Sequence, residues 1–124
     1  MPKRLTERQI SILKRRVYSA NYRARKEYAS RDELFLPEIV ELLQANPYCN
    51  YCGRALSAGT LSLDHLRPLV DGGRNHISNI VLSCRRDNRY KSAISAELYK
   101  AFLTALGEEW QSFFFQHYRP RSYR

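Results

Sequence analysis

The apolar positions of this chain repeat at two different periods, and the change of period divides it. From Glu7 to about Ala29 they recur at helical spacing. Ile10, Leu13, Val17 and Ala20 form one face, with Arg15, Arg16, Arg23, Arg25 and Lys26 on the other sides. Thr6 followed by Gln9 has the form of a capping box, which places the helix start near Glu7. A shorter helix is predicted from Pro37, a residue favoured at the first helical position, to about Ala45, burying Ile39, Val40, Leu42 and Leu43. Asn46-Pro47 ends it, because the residue before a proline is pushed out of the helical region.

After a tight turn at Cys49–Gly53 and a loop over Leu56–Thr60, the period shortens. Leu61 to His65 alternates as a strand does. A Pro68/Asp71-Gly72-Gly73 loop follows, then a second short apolar run from Ile77 to Ser83 and a basic helical stretch from about Cys84 to Ala93. Ser95 is a suitable N-cap for a further helix, Ala96–Leu106, with Leu98, Phe102 and Leu106 on one face and Gly107 as its stop. The last segment carries Trp110, Phe113, Phe114 and Phe115, expected as core, as a dimer contact or as a stacking surface for bases. The expected class is α+β, with a small strand–loop–strand–helix core at 47–95. A basic helical extension (1–46) precedes it and a helical extension with an aromatic and basic tail (96–124) follows. At 124 residues these parts are expected to make one compact domain.

Composition adds a partner. The net charge is +9, and it is uneven: residues 1–35 carry ten Lys/Arg against four acids. Such a balance favours a polyanion, since each phosphate neutralised releases counterions; a nucleic acid is the expected one. Arg15, Arg16 and Arg23 on the first helix, with Arg85 and Arg89 on the later basic stretch, are the candidate contacts, although any one of them can equally be an ordinary surface charge. No apolar run reaches the roughly 20 residues of a membrane span and no signal-peptide core opens the chain, so a soluble intracellular (cytoplasmic) protein without a membrane partner is expected. Cys49, Cys52 and Cys84 are too few, and odd in number, for a disulfide scaffold; metal binding is the better reading of Cys49-x-x-Cys52.

The stretch Leu61–Lys91 carries an acid, a histidine, two asparagines and a lysine. Hydrolysis of a phosphodiester needs a group to take a proton from water and positive charge to offset the developing anion. His65, with an ordinary pKa near 6.5, suits the first task. Asp64 and Asn88 offer one anionic and one neutral oxygen to a hard divalent ion such as Mg²⁺ or Mn²⁺. Because adjacent strand residues face opposite ways, Asp64 and His65 can share a site only if the strand ends or twists there, which Leu66-Arg67-Pro68 permits.

In order, Cys49-x-x-Cys52, Asp64-His65-x-x-Pro68-Leu69, Gly72-Gly73-x-Asn75, Asn79-Ile80-Val81, Cys84 and Asn88-x-x-Lys91 resemble an HNH endonuclease domain of the ββα-metal class with a CxxC zinc knuckle. The resemblance covers about residues 47–95. It implies that His65 is the general base and that Asp64 and Asn88 hold the catalytic ion. Asn79 would hold the hairpin loop and orient the histidine, and Lys91 would lie near the substrate phosphate. It also implies a second metal pair, where this chain reads Cys84-Arg85-Arg86-Asp87; Cys49, Cys52, Cys84 and Asp87 can close a structural Zn²⁺ site, or the cysteines can pack as small apolar residues without metal. His76 and His117 are spare ligands. Similar short nucleases occur in bacteria and phages, which implies an assembly partner among restriction or phage proteins; a homodimer is expected because one such site cuts one strand of DNA and a double-strand cut needs two events. The alternative is a nucleic-acid-binding or assembly module of the same fold that does not cleave.

Overall fold

The first helix starts where its capping box predicts. In the computed structural model, which describes residues 4–107, Thr6 Oγ1 accepts from the Gln9 N–H at 3.1 Å and Gln9 Oε1 accepts from the Thr6 N–H at 2.7 Å. Trp110, the three phenylalanines at 113–115, His117 and the basic tip lie outside the described residues. Helix α1 runs Glu7–Tyr28 and closes on Ala29 in the left-handed region (φ 50°). Its buried stripe is Leu13, Val17 and Ala24, with Ala20 half-buried. Ile10, expected on that face, is 37% exposed; the stripe is turned toward Ile12, and Leu5 from ahead of the cap packs on the core in its stead. Helix α2, Leu36–Ala45, places Ile39 and Leu43 against α1 and the rest of the core.

Next comes an antiparallel hairpin, β1 (Leu61–His65) with β2 (Ile80–Cys84), in the register Leu61↔Cys84 to His65↔Ile80. The second strand starts later than its apolar run suggests. Ile77–Asn79 form a 3₁₀ turn, because Asn79 folds back on the loop: its Oδ1 accepts from the Arg67 N–H (2.9 Å), and its Nδ2 donates to the carbonyls of Arg67 (3.0 Å) and Arg74 (2.8 Å). A lone two-stranded hairpin is marginal in water, so it depends on what covers it. The Cys49–Gly53 turn covers one side, with the Asn50 N–H bonded to the Leu82 carbonyl at 2.9 Å. Helix α3 (Arg85–Lys91) packs against both strands, completing a ββα unit, and it ends at Ser92 (φ 48°), short of the expected Ala93.

Helix α4, Ala96–Leu106, has both predicted ends: Ser95 Oγ accepts from the Leu98 N–H at 3.1 Å, and Gly107 closes it. Of its expected face Phe102 is half-buried, but Leu98 is not the residue packed beside it. Leu98 is 44% exposed, whereas Tyr99 is fully buried, since only the tyrosine can pack its ring and also bring a hydroxyl to Asp87 (2.7 Å). Among the described residues no helix is long and apolar enough to cross a membrane.

The loop between the strands is held by backbone proximity. A Cβ on Gly73 would sit 1.9 Å from the Arg67 carbonyl oxygen, closer than any atom pair tolerates. Gly73→Ala is therefore expected to destabilise the fold by about 2 kcal/mol or more by forcing the loop apart. Urea denaturation measures this, and an unchanged midpoint would contradict the close approach.

Candidate functional site

Asp64 lies on the hairpin's buried side with only 3% of its surface exposed. A buried carboxylate costs several kcal/mol unless it is paired and hydrogen-bonded. Both needs are met: Lys91 Nζ lies 2.9 Å from Oδ1, and the Tyr51 hydroxyl donates to Oδ2. Lys91 is itself only 2% exposed and gives a further bond to the His65 carbonyl at 3.1 Å. The lysine expected near a substrate phosphate thus has its ammonium on the carboxylate expected to hold an ion. Burial, then the charge of Asp64 and the bond to it, push the Tyr51 phenol far above its ordinary pKa, so it remains a donor. Tyr51 was not foreseen as a site residue; its place between Cys49 and Cys52 was the available signal.

His65 ends β1, and its ring bonds to the loop between the strands. Its Nε2 lies 3.0 Å from Asn75 Oδ1; Asn75 Nδ2 donates to Asn21 Oδ1 at 2.9 Å. Asn21, on α1, also accepts from the Leu34 N–H (2.7 Å) and donates to the Leu34 carbonyl (2.9 Å). Burial lowers the His65 pKa. The bond to Asn75 and the charge of Asp64 oppose this without cancelling it, and Lys91 and Arg23 add to the lowering. At neutral pH the imidazole is therefore neutral, the form that can take a proton. The Asn79 side chain makes its bonds to loop backbone at Arg67 and Arg74; the residue bonded to the histidine is Asn75.

The knuckle brings Cys49, Cys52, Cys84 and Asp87 together, with all four ligand atoms within 4.8 Å of one another. Asp87 Oδ2 accepts from the thiols of Cys84 (3.1 Å) and Cys49 (3.3 Å), and the sulfurs of Cys52 and Cys84 are 3.9 Å apart. An ion with tetrahedral bonds of about 2.0–2.3 Å sets its ligands roughly 3.3–3.8 Å apart, so the group is of the right size to hold a metal ion. Backbone N–H groups point at the sulfurs, from Cys84 (3.3 Å) and Tyr51 (3.4 Å) to Cys49 and from Asp87 (3.4 Å) to Cys84. Burial pushes the Cys84 thiol up to about 12, with Asp87's charge adding to it. Asp87 goes the other way: burial would raise it, yet the hydrogen bonds from Tyr99 and the cysteine thiols hold it below the usual carboxylate range. His76 is engaged elsewhere, its Nδ1 accepting from the Ser78 N–H at 3.2 Å.

The expected DNA-contacting arginines divide by role. Arg16 donates to the carbonyls of Ala58 (3.0 Å) and Gly59 (2.9 Å), and Arg85 also reaches Gly59 (3.0 Å), so both pin the turn that leads into β1. Burial, then the charges of Arg85 and Arg15, lower the Arg16 pKa, a sign of how closely these guanidinium groups gather. Arg15 and Arg16 line a shallow cleft between α1 and the ββα unit, shared with Ser19, Ser62, Leu63 and Asn88. Arg23 is exposed and pairs with Glu27 at 3.3 Å. Arg89 is exposed on α3.

Residues 49–93 match the family model described as HNH endonuclease. The chain is also similar to the CRISPR-associated endonuclease Cas9 of Actinomyces naeslundii, at 34% identity over a stretch that covers 63% of this chain. The chain spans 8% of that protein's length.

Two outcomes follow from the buried groups. Lys91→Met leaves Asp64 buried without its counter-charge and is expected to cost about 3–5 kcal/mol in urea denaturation with chelator present. A loss below about 1 kcal/mol would mean that the pair is not desolvated as its exposure indicates. Cys84→Ala removes one ligand and an anchor of Asp87, so both the metal content by elemental analysis and the melting temperature are expected to fall. Wild type prepared without chelator and found free of metal would end the assignment of this group as a metal centre.

Proposed function

We propose, from the match of residues 49–93 to the HNH endonuclease family model, that this chain is a divalent-metal-dependent endonuclease hydrolysing phosphodiester bonds of DNA. The observation that carries the reading is the neutral, oriented imidazole of His65, which directly follows the buried carboxylate of Asp64 at the end of one strand. His65 takes the proton of the attacking water. Asp64 and Asn88 would be the oxygen donors for Mg²⁺ or Mn²⁺, since one anionic and one neutral oxygen suit a hard ion. When bound, such an ion supplies positive charge against the anion that develops at the phosphate. Lys91 bridges Asp64 and the His65 carbonyl and so holds the end of the strand that carries the base. Asn79 holds the loop from which Asn75 reaches the histidine.

Cys49, Cys52, Cys84 and Asp87 hold a structural Zn²⁺ in this reading, because thiolates with one carboxylate in a tetrahedral set favour zinc over harder ions. Its task is to tie the knuckle to the start of α3, and it takes no part in the reaction. Duplex DNA meets the basic side through phosphate contacts by Arg15, Arg23 and Arg89, with Arg16 and Arg85 adding charge from their pinned positions. One such site cuts one strand, so double-strand cleavage would require a second copy or a second event.

The test is supercoiled plasmid incubated with Mg²⁺ or Mn²⁺. Wild type is expected to nick or linearise it, while His65→Ala and chelator-treated wild type leave it intact. Equal cleavage by wild type and His65→Ala would remove the histidine from its role. Salt-sensitive duplex binding with no cleavage under either ion would point to a binding module.

A further inference from the structure

Helix α1 lies outside the segment that matches the nuclease family, yet its Asn21 is joined to the imidazole of His65 through Asn75. Amide oxygen and nitrogen are alike in shape, so the direction of such a chain must come from groups whose roles are fixed. Here the backbone of Leu34 fixes it. Its N–H can only donate and its carbonyl can only accept, so the Asn21 oxygen faces the first (2.7 Å) and the Asn21 nitrogen faces the second (2.9 Å). That oxygen lies 2.9 Å from the Asn75 amide, which must therefore turn its nitrogen toward it. Asn75 is fully buried; the flipped amide would set two acceptor oxygens against each other with no water to relieve them. The remaining atom, Asn75 Oδ1, faces His65 Nε2 at 3.0 Å and can only accept.

We infer that Asn21 is a positioning residue: through Asn75 it holds His65 in the Nε2–H tautomer, so that Nδ1 carries the lone pair that takes the proton from water. The inference rests on the nuclease reading for its consequence, but the tautomer itself is independent of it. The backbone of Leu34, ahead of α2, thereby sets the direction of an amide chain that ends on the catalytic ring. Without the Asn21 acceptor, Asn75 is free to turn its nitrogen to the imidazole. That would favour the Nδ1–H tautomer, in which Nδ1 has no lone pair to offer.

The measurement is ¹⁵N NMR of histidine-labelled full-length protein at a pH where the ring is neutral, with the His65 signals identified by their absence in His65→Ala. Plasmid cleavage is followed in parallel. Wild type is expected to show Nε2–H. Asn21→Leu should show a mixture with Nδ1–H and cleave roughly tenfold to a hundredfold more slowly. Asn21→Asp retains the acceptor and should retain the Nε2–H signature. An Nδ1–H tautomer in wild type overturns the inference, as does a folded Asn21→Leu variant with unmixed Nε2–H and the wild-type rate. Should Asn21→Leu fail to fold, the wild-type and Asn21→Asp spectra still decide. If the tautomer shifts as expected but His65→Ala cleaves like wild type, the base assignment falls and the amide chain stands.

Discussion

A carboxylate that is almost wholly removed from water must find its compensation inside the protein, and Asp64 finds it from both flanking elements. Tyr51 reaches it from the knuckle and Lys91 from α3, while Asp64 itself belongs to β1. The effective penalty for burying an unpaired ion is several kcal/mol, comparable to the whole stability of a small domain. A hairpin too small to stand alone is thus held between a turn and a helix by a charge it cannot otherwise bury. Lys91 also bonds the carbonyl of His65, so the interaction that satisfies Asp64 fixes the end of the strand that carries the proposed base.

The two polar centres of the ββα unit are linked by a tyrosine pair. Tyr51 donates to Asp64 and Tyr99 donates to Asp87; the rings meet edge to face, with centroids 5.0 Å apart and planes at 87°. Asp87 in turn gathers the thiols of Cys49 and Cys84. Each tyrosine thus orients a buried carboxylate with its hydroxyl and packs its ring against its counterpart at the other centre. This explains why Tyr99, and not Leu98, is the side chain that α4 buries: aromatic edge and hydroxyl are both in use, and leucine could supply neither.

The readable parts of the sequence were those whose cause is local. Thr6 with Gln9, Ser95, Gly107 and Asn46-Pro47 mark helix ends through bonds that span a few residues, and the helices begin or end there. The Asp64-His65 step and the knuckle cysteines were legible because their spacing is itself the signal. What escaped depends on groups far apart in the chain. Asn75 meets Asn21 across 54 positions and Arg16 meets Ala58 across 42. An asparagine in a basic helix carries no mark of a distant partner. For the same reason the apolar stripe of α1 was displaced: helical period places Ile10 with Leu13, but the neighbouring layers decide which edge of the stripe is covered.

Charge has to be divided in the same way before it can bear on DNA. Two of the arginines expected to meet phosphate, Arg16 and Arg85, converge on the Gly59 carbonyl and hold the turn entering β1. Their guanidinium groups remain positive beside the cleft that Asn88 lines, but their geometry belongs to the fold. Replacing either would disturb the strand entry together with the local potential, so a loss of binding there would not by itself identify a phosphate contact. Arg15 and Arg23 are the discriminating positions, because both are exposed and Arg23 pairs within its own helix, with Glu27. Since the electrostatic part of nucleic-acid affinity scales with phosphates neutralised, replacing those two where they contact phosphate would weaken the salt dependence of binding and leave the hairpin's backbone anchors in place.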